Sequence, residues 1–385
     1  MDSRVIVKMG SEIRNKEFLL FFVRVIIGLL LSIGLVFSVN TLVDSSQILN
    51  VGLYSQMAVL ALQGNTVANP DNYDERAYQV AVVKEMNHEP DAIVVGSSRG
   101  MFLGKDITGY SDIYNHCVSG AIIEDYYAVL GLYDQKFDRV PATVIIEASP
   151  WIFYGNVPES RWMENYEYAI AANHMYQKVN GTSLTTVAQD KTEDPYLSLS
   201  YFRYNWTEIL KRKGAAFIRA KARVSNDPSE AADLPDGTIR YPAERENPSP
   251  KRLEKVQSIT GGLTYHDMNN MVELDEKEMD DFNNLINFLK QQGTEVILYL
   301  QPFSVTQCYY SFDKNLNPII LEVEEWLREY GQKEDIKVIG GYDARLFDIS
   351  DADFIDYMHL DRNGTGVVWR SGCDLEKMSF DEIER

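Results

Sequence analysis

Two short segments that lie far apart in the chain carry residue types suited to nucleophilic catalysis. Gly96-Ser97-Ser98-Arg99 follows the apolar run 91–95, and Asp356-Tyr357-Met358-His359 lies near the C-terminus. A strand that runs into a tight Gly-Ser turn places a hydroxyl at the carboxyl end of a sheet, where open α/β folds build their sites. An Asp one helical turn before a His can hold the imidazole by one nitrogen while the other faces a serine. Together the segments predict the nucleophile, the orienting carboxylate and the general base of acyl-transfer chemistry.

In their order along the chain, these segments resemble the blocks of the SGNH, or GDSL-like, hydrolase superfamily. The resemblance covers roughly residues 88–150 and 290–370. It implies that Ser98 is the nucleophile and that Asp356 and His359 complete the catalytic triad. The family's second block is matched by Asn115-His116-Cys117-Val118-Ser119-Gly120. The backbone N–H groups of Gly120 and Ser98 are therefore expected to form an oxyanion hole.

The family's third block, Gly-x-Asn-Asp, has no counterpart in this chain. At the corresponding strand end the sequence reads Ile145-Ile146-Glu147-Ala148-Ser149-Pro150-Trp151, without an asparagine. Ser149 is the candidate side-chain donor to the oxyanion, and Trp151 is a candidate contact for substrate. Arg99 is predicted either to hold a carboxylate or phosphate of the substrate or to form an ion pair with a nearby acidic residue. The same departure occurs in membrane-anchored relatives that acylate cell-surface polymers, and the layout is similar to that of the D-alanyl transfer proteins of the teichoic-acid pathway.

The resemblance implies a serine acyltransferase or esterase acting on acetyl or D-alanyl groups of a bacterial cell-surface polysaccharide or teichoic acid. Hydrolysis and transfer differ only in whether water or an alcohol accepts the acyl group, and the sequence leaves both open. A membrane-bound O-acyltransferase is a candidate partner, and no cofactor is expected. The rival interpretation is an inactive scaffold of the same fold that binds envelope glycan or a membrane acyltransferase.

An apolar stretch near the N-terminus predicts a single-pass membrane anchor. Residues 18–39 are interrupted by one charge, Arg24, and are long enough to cross a hydrocarbon layer of about 30 Å. The basic residues ahead of the stretch are Arg4, Lys8, Arg14 and Lys16. No Lys or Arg follows it through Asp44, which predicts a cytoplasmic N-terminus (1–17) and an extracellular domain (50–385). A cleaved signal peptide is the alternative, but an Ala-x-Ala arrangement is missing after the apolar run.

Short apolar runs alternate with helical patterns through most of the remaining chain. The predicted strands are 92–95, 113–118, 143–148, 295–300 and 336–339. The predicted helices are 52–62, 75–86, 123–137, 274–292 and 319–330. This alternation predicts an α/β fold, a three-layer α/β/α sandwich around a mostly parallel sheet. The resemblance specifies a flavodoxin-like sheet, as in SGNH hydrolases.

The segment 151–273 breaks this alternation and is rich in Tyr and Trp. Insertions at the carboxyl ends of strands build lids and substrate walls, so the segment is interpreted as a substrate-binding insertion. The alternative is that its aromatic rings form a core of their own. A basic cluster within 211–223 either contacts an anionic polymer or headgroups or is a solvated helix face.

Composition excludes several classes of protein. The formal net charge of −20 excludes a general nucleic-acid surface, because phosphate binding needs clustered Lys and Arg. Cys117, Cys308 and Cys373 show no Cys-x-x-Cys spacing and indicate neither a zinc site nor a disulfide framework. Aspartates crowded within 343–361 lack the spacing of a calcium loop, so no metal is expected.

Overall fold

The computed structural model describes residues 3–45, 49–50, 52–184, 195–211 and 221–375, with the backbone alone for 3–16 and 372–375. The chain forms two compact units. The anchor unit comprises residues 1–53, 70–73 and 191–221, and the main unit comprises 54–69, 74–190 and 222–385. The predicted insertion 151–273 is therefore divided between the two units.

Strands of the described residues form three separate sheets. They are β1 (Val67–Ala68), β2 (Ala92–Val95), β3 (Ile113–Asn115), β4 (Thr143–Glu147), β5 (Ala232–Asp233), β6 (Ile239–Arg240), β7 (Glu295–Leu300), β8 (Lys337–Gly340), β9 (Phe354–Asp356) and β10 (His359–Leu360). The largest sheet is parallel throughout, in the order β3-β2-β4-β7-β8. A small antiparallel sheet contains β1, β5 and β6, and β9 pairs with β10 in a hairpin. The predicted α/β fold with a parallel sheet is confirmed.

The central strands form because their apolar, largely β-branched residues are buried throughout. All four residues of β2 and all five of β4 are buried, the pattern of strands covered on both faces. Val94 pairs with Ile145, and Ile145 pairs with Ile297 on the next strand. Because parallel strands end at the same edge of a sheet, this register brings together the loops that follow β2, β4 and β7.

Helices occupy most of the connections between these strands. They are α1 (Ser3–Val43), α2 (Leu53–Leu62), α3 (Glu75–Glu85), α4 (Lys105–Thr108), α5 (Ile123–Phe137), α6 (Tyr166–Asn180), α7 (Leu199–Lys211), α8 (Ala243–Glu246), α9 (Pro250–Gln257), α10 (Glu276–Gln291), α11 (Val305–Cys308), α12 (Ile319–Glu334) and α13 (Arg362–Leu375). Asp74 and Asp275 cap α3 and α10, each accepting backbone N–H groups of the first turn. The longer predicted helices agree with α2, α3, α5, α10 and α12 apart from a few residues at their ends.

Aromatic rings of the predicted insertion are mainly buried where they belong to the main unit. Trp151, Trp162, Tyr168 and Tyr176 are at most 8% exposed. The helix α6 packs against α5, and the Tyr176 hydroxyl donates to Asp281 at 3.0 Å. These four rings are part of the core of the main unit, which agrees with the alternative that the aromatic rings of the segment form a core.

In the anchor unit, α1 contains a segment long and apolar enough to cross a membrane. This segment, Glu17–Val43, reaches a mean hydropathy of 2.7. The predicted anchor, 18–39, lies within it, and the helix continues beyond the predicted end without interruption.

Candidate active site

The nucleophile turn, residues 96–100, leads from the end of β2 into a single 3₁₀ turn. Gly96 has a φ of 157°, and a Cβ at this position would lie only 2.5 Å from the Cβ of Glu147. Only glycine allows the chain to turn this close to the neighbouring strand end. The turn leaves Ser98 partly exposed, whereas Ser97 is fully buried.

A buried hydrogen-bond network lies beneath the nucleophile turn. The Ser97 N–H donates to Oε2 of Glu147 at 2.8 Å, and the Ser149 hydroxyl donates to Oε1 of Glu147 at 2.7 Å. Glu147 and Ser149 are both fully buried. The expectation for Ser149 therefore needs correction, because its proton is donated to Glu147 and its side chain has no exposed surface. Glu147, for which the sequence indicated no role, is the acceptor that holds the turn.

Arg99 points into the core and away from solvent. It is 1% exposed, and its guanidinium lies 4.0 Å from the ring centroid of Phe303 and 5.8 Å from two further aromatic rings. Its Nη2 donates to the carbonyl oxygen of Gln301, while Nε and Nη1 have no hydrogen-bond partner among the described residues. Burial lowers the pKa of Arg99, and the charge of Glu147 opposes that effect. This burial contradicts the prediction that Arg99 binds an anionic group of the substrate.

Asp356 and His359 lie on a β-hairpin and not on the helix that their spacing predicted. Asp356 ends β9, His359 begins β10, and α13 starts only at Arg362. The Oδ1 atom of Asp356 accepts the N–H groups of Met358 at 3.1 Å and His359 at 3.0 Å. An aspartate that binds the backbone two or three residues ahead stabilises a turn, which explains why the hairpin replaces the helix.

The structure brings the three predicted catalytic side chains into one continuous chain of hydrogen bonds. Ser98 Oγ lies 2.8 Å from His359 Nε2, and His359 Nδ1 lies 2.7 Å from Asp356 Oδ1. Burial raises the pKa of Asp356, but the hydrogen bond and charge of His359 and the Met358 N–H outweigh it and lower that pKa to about 2. Arg245 Nη2 lies 3.7 Å from Oδ2 of the same carboxylate. The carboxylate is therefore ionised at neutral pH and orients the ring so that Nε2 faces the serine.

Two backbone N–H groups in the predicted oxyanion blocks have no acceptor among the described residues. Within the part of the chain that the structure describes, the N–H groups of Ser98 and Gly120 make no hydrogen bond. Gly120 has a φ of 62°, a left-handed conformation that favours glycine. The Val118 N–H donates to the carbonyl oxygen of Gly96 at 3.0 Å, which connects the second block to the nucleophile turn. Unpartnered N–H donors are what a developing oxyanion requires.

Three residues from the predicted insertion approach Gly120 and were missed by sequence reasoning. A Cβ on Gly120 would lie 2.5 Å from Nη2 of Arg161, 2.6 Å from the Tyr265 hydroxyl and 3.1 Å from Nε2 of His266. Arg161 Nη2 also donates to the carbonyl oxygen of Ser119 at 2.8 Å. Burial lowers the pKa of His266, whose φ of 49° is uncommon for a residue other than glycine. No motif marks these side chains, since only the folded insertion brings them to the second block.

Trp151, the predicted substrate contact, is fully buried. Its Nε1 donates to the carbonyl oxygen of Ala121 at 2.9 Å. The ring borders a cavity of about 190 Å³ whose walls include the carboxylates of Glu124 and Glu278. Burial, followed by the charge of Glu278, raises the pKa of Glu124 to about 7. Trp151 therefore contributes to the wall of this cavity and has no surface exposed to bulk solvent.

Acidic and cysteine side chains elsewhere in the main unit do not assemble a metal site. Among the described residues, no group of three His, Cys, Asp or Glu side chains is placed to hold a metal ion. Most of the aspartates near the hairpin have protein partners: Asp361 pairs with Arg252 at 3.0 Å, and Asp351 accepts the Thr306 hydroxyl at 2.6 Å. Cys117 and Cys308 are free and buried, and the side chain of Cys373 lies outside the described residues.

Comparisons with known proteins place few constraints on function. No family model matches the sequence, and no curated protein matches it. Among solved structures, a similar chain is a Bacteroides fragilis protein described as a candidate acylhydrolase, with 12% sequence identity. The match covers 77% of this chain and 94% of that chain with a TM-score of 0.33. At that score the likeness carries no argument for this chain.

Proposed function

We propose that this chain is a membrane-anchored serine acyltransferase or esterase of the SGNH type. Its substrates would be O-acyl groups, acetyl or D-alanyl, of a cell-surface polysaccharide or teichoic acid. The observation that carries the proposal is the hydrogen-bonded chain from Ser98 through His359 to Asp356. Counted within the main sheet, the strand order is 2-1-3-4-5, which supports a flavodoxin-like α/β/α sandwich.

In the acylation step, Ser98 Oγ attacks the ester carbonyl while its proton passes to Nε2 of His359. Ionised Asp356 accepts the hydrogen bond from Nδ1–H and stabilises the imidazolium. The N–H groups of Ser98 and Gly120 donate to the tetrahedral oxyanion, and each such donor contributes about 3 kcal/mol. Collapse breaks the ester bond, His359 returns its proton to the leaving alcohol, and the acyl group stays on Ser98.

In the second step, His359 removes a proton from water or from an acceptor hydroxyl, which then attacks the acyl-serine. Water gives a free acid, whereas a polymer hydroxyl gives an O-acylated product. An N-terminal anchor with a cytoplasmic N-terminus would confine an extracellular catalytic domain near the cell surface. This confinement favours envelope polymers as substrates and a membrane-bound O-acyltransferase as a partner.

The alternative is a scaffold of the same fold that binds envelope glycan or a membrane acyltransferase without catalysis. The burial of Ser149 favours this alternative, because the third strand end then contributes no hydroxyl to an oxyanion. The hydrogen-bonded triad favours the enzyme, since a scaffold has no need of an ionised carboxylate aligned on an imidazole.

A serine-reactive fluorophosphonate separates the two proposals on the full chain in detergent. We expect wild-type protein to be labelled and Ser98→Ala to lose the label. Ser97→Ala is the matched control, and it should keep the label because the Ser97 side chain is buried beneath the turn. Wild-type labelling no faster than that of Ser98→Ala would exclude the enzyme and leave the scaffold.

Transfer and hydrolysis are distinguished by the fate of the acyl group. Unlabelled wild-type protein that reacts with the fluorophosphonate is incubated with an acetyl ester, with and without a soluble oligosaccharide acceptor. Mass spectrometry of the saccharide then reports transfer, and release of acetate alone reports hydrolysis. Acetate release that is unaffected by the saccharide would assign an esterase.

A further inference from the structure

We propose that residues 195–211, here called the interfacial segment, form a second membrane contact. The segment comprises α7 and the four residues before it, and it would lie in the headgroup region beside the end of α1. This inference rests on the membrane anchor proposed above. Its test measures the anchor and the interfacial segment separately.

The exposed apolar length of α1 agrees with the thickness of a bilayer core. Its exposed large apolar side chains between Phe18 and Phe37 are 42% to 69% exposed. A helix of about 20 residues spans about 30 Å, which is the thickness of the hydrocarbon region. Burial begins immediately beyond this length, with Val39 at 5% and Val43 at 2% exposure. In the last turns of α1, which lie beyond this length, the face that carries Val39 and Val43 is covered by protein, whereas Leu42 is 56% exposed.

The interfacial segment supplies this cover. Val39 and Val43 of α1 form a small apolar cluster with Phe202 and Ile209 of α7. These two α7 residues are seven positions apart and therefore share one face of the helix. The cluster fixes α7 at the level of the last two turns of α1.

Asn40 connects the start of the interfacial segment to the same level of α1. Its buried side-chain amide donates to the carbonyl oxygens of Pro195 at 2.9 Å, Tyr196 at 3.2 Å and Ser198 at 3.0 Å. The ring of Phe37 stacks on Tyr196 with centroids 5.7 Å apart. These carbonyl groups lie outside any helix, and such backbone is not tolerated where it faces hydrocarbon. They are satisfied by Asn40 at the position where the exposed apolar length of α1 ends.

The outer face of α7 carries large apolar side chains beside exposed Ser200, Arg203 and Thr207. Leu199, Trp206 and Leu210 are 70%, 45% and 66% exposed and follow an i, i+7, i+11 spacing along one face. Asn205 and Glu208, in contrast, are at most 7% exposed. A helix in water would place these residues in the opposite way. Exposed Leu and Trp beside exposed polar side chains, above buried Asn205 and Glu208, indicate a boundary between an apolar medium and water on the outer face.

Lipid at the membrane boundary is the occupant that these observations favour. The outer face continues from the exposed apolar surface of α1, and exposed Tyr196, Tyr204 and Trp206 are residue types that concentrate at membrane interfaces. Residues 195–211 carry Arg203 and Lys211 against Glu208, which gives little net charge, so apolar insertion is the physical basis of the contact. Zwitterionic phosphatidylcholine is therefore the appropriate probe.

Spin-label depth measurements on the full chain in phosphatidylcholine liposomes test the inference. Single cysteines replace Ile27, Leu210 or Val272 in a Cys373→Ser background, and collision with oxygen and with a water-soluble nickel chelate reports depth. Val272 is the matched control, being an 82% exposed apolar residue of the main unit. We expect the label at position 27 near the bilayer centre and the label at position 210 about 5–10 Å below the headgroup boundary. The label at position 272 should be in water.

The outcomes separate the interfacial segment from the anchor. The interfacial contact alone is overturned if the label at position 27 is deep and the label at position 210 is as accessible to nickel as the label at position 272. A label at position 27 in water overturns both. Shielding of position 210 only after a membrane protein is added to the liposomes also overturns the inference, because the occupant is then protein.

A second variant addresses the apolar origin of the contact. Trp206→Glu should move a label at position 210 toward water, whereas Val272→Glu should leave its depth unchanged. Fluorophosphonate labelling of each variant checks that the main unit is folded.

Discussion

The nucleophile turn and the β9-β10 hairpin hold their reactive groups in different ways. In the turn, Ser97 and Glu147 are fully buried, and a missing Cβ at Gly96 allows two strand ends to meet. In the hairpin, the side chains of His359 and Asp356 are 14% and 17% exposed and are held by a charged hydrogen bond. Packing positions Ser98, whereas electrostatics orient His359.

Because of this difference, substitutions in the two regions are expected to change different measured quantities. A change beneath the turn removes buried contacts and is expected to lower the free energy of unfolding. A change in the hairpin alters the charge and orientation of His359 and is expected to lower the reaction rate first. The four predictions below test this division.

The largest effect is expected from Asp356→Asn. The amide cannot stabilise the imidazolium and presents the wrong group to Nδ1, so kcat on an acetyl ester should fall about 10³- to 10⁴-fold. The free energy of unfolding should fall by only about 2 kcal/mol, less than the roughly 4–5 kcal/mol of transition-state stabilisation that this rate loss represents. Asp348→Asn, an exposed matched control, should keep wild-type kcat. If Asp356→Asn lost stability but kept its reaction rate, the hairpin would have the structural role that is assigned here to the nucleophile turn.

Arg99→Met tests whether the buried contacts of the nucleophile turn stabilise the fold. Removing the guanidinium leaves the buried Glu147 charge uncompensated and the Gln301 carbonyl without its donor, which should cost about 3 kcal/mol of unfolding free energy. Adding Glu147→Gln removes the uncompensated charge but also one of the two hydrogen bonds that Glu147 accepts, so the double variant should lose less stability than the sum of the two single variants in urea titrations.

The matched control for Arg99→Met is Lys84→Met, at an ion pair with Glu167 in which both side chains are more than half exposed. That control should change stability by less than about 1 kcal/mol. Equal stability of Arg99→Met and wild-type protein would show that the buried guanidinium does not balance Glu147.

The pH dependence of the free energy of unfolding tests the ionisation of Asp356 in the folded state. The folded-state pKa of Asp356 is about 2, below its ordinary value of 3.8, so the folded state favours the ionised form. This stabilisation, about 2 kcal/mol, is present above pH about 4 and is lost as pH falls toward 2. The difference in unfolding free energy between wild type and Asp356→Asn should therefore shrink over this range. A difference that stays constant from pH 5 to about pH 2 contradicts the assigned ionisation.

The smallest effect is expected from Arg245→Gln. Arg245 is partly exposed and lies 3.7 Å from Asp356, so its attraction is weakened by solvent and salt. The variant should lose at most about fivefold in kcat, or about 1 kcal/mol, and less at high salt. A loss comparable with that of Asp356→Asn would make Arg245 part of the orienting network.

Much of the secondary structure of the main unit could be predicted from patterns over a few neighbouring residues. The strands near 92–95, 143–147 and 295–300 are continuous apolar runs, and their burial on both sheet faces needs no knowledge of partners. The triad types were also readable, because Ser98 follows a strand and the Asp-His spacing brings the two side chains together on either a helix or a turn. The catalytic roles themselves stay predictions.

Long-range packing decided what local pattern missed. Arg99 and Ser149 have residue types that suit an active site, but burial against Phe303 and Glu147 removes both from solvent. Arg161 and Tyr265 have no motif and reach Gly120 only because the insertion folds back over the second block.

The amino-acid sequence by itself determined the strands, the longer helices, the apolar anchor segment and the residue types of the triad, because these depend on periodicity and composition over a few neighbouring positions. Only the tertiary structure decided that Ser98 meets His359, that Asp356 lies on a hairpin, and that α7 exposes leucine while burying asparagine. These outcomes depend on which side chains compete for the same buried space and hydrogen bonds across long separations in the chain, and no local pattern records that competition.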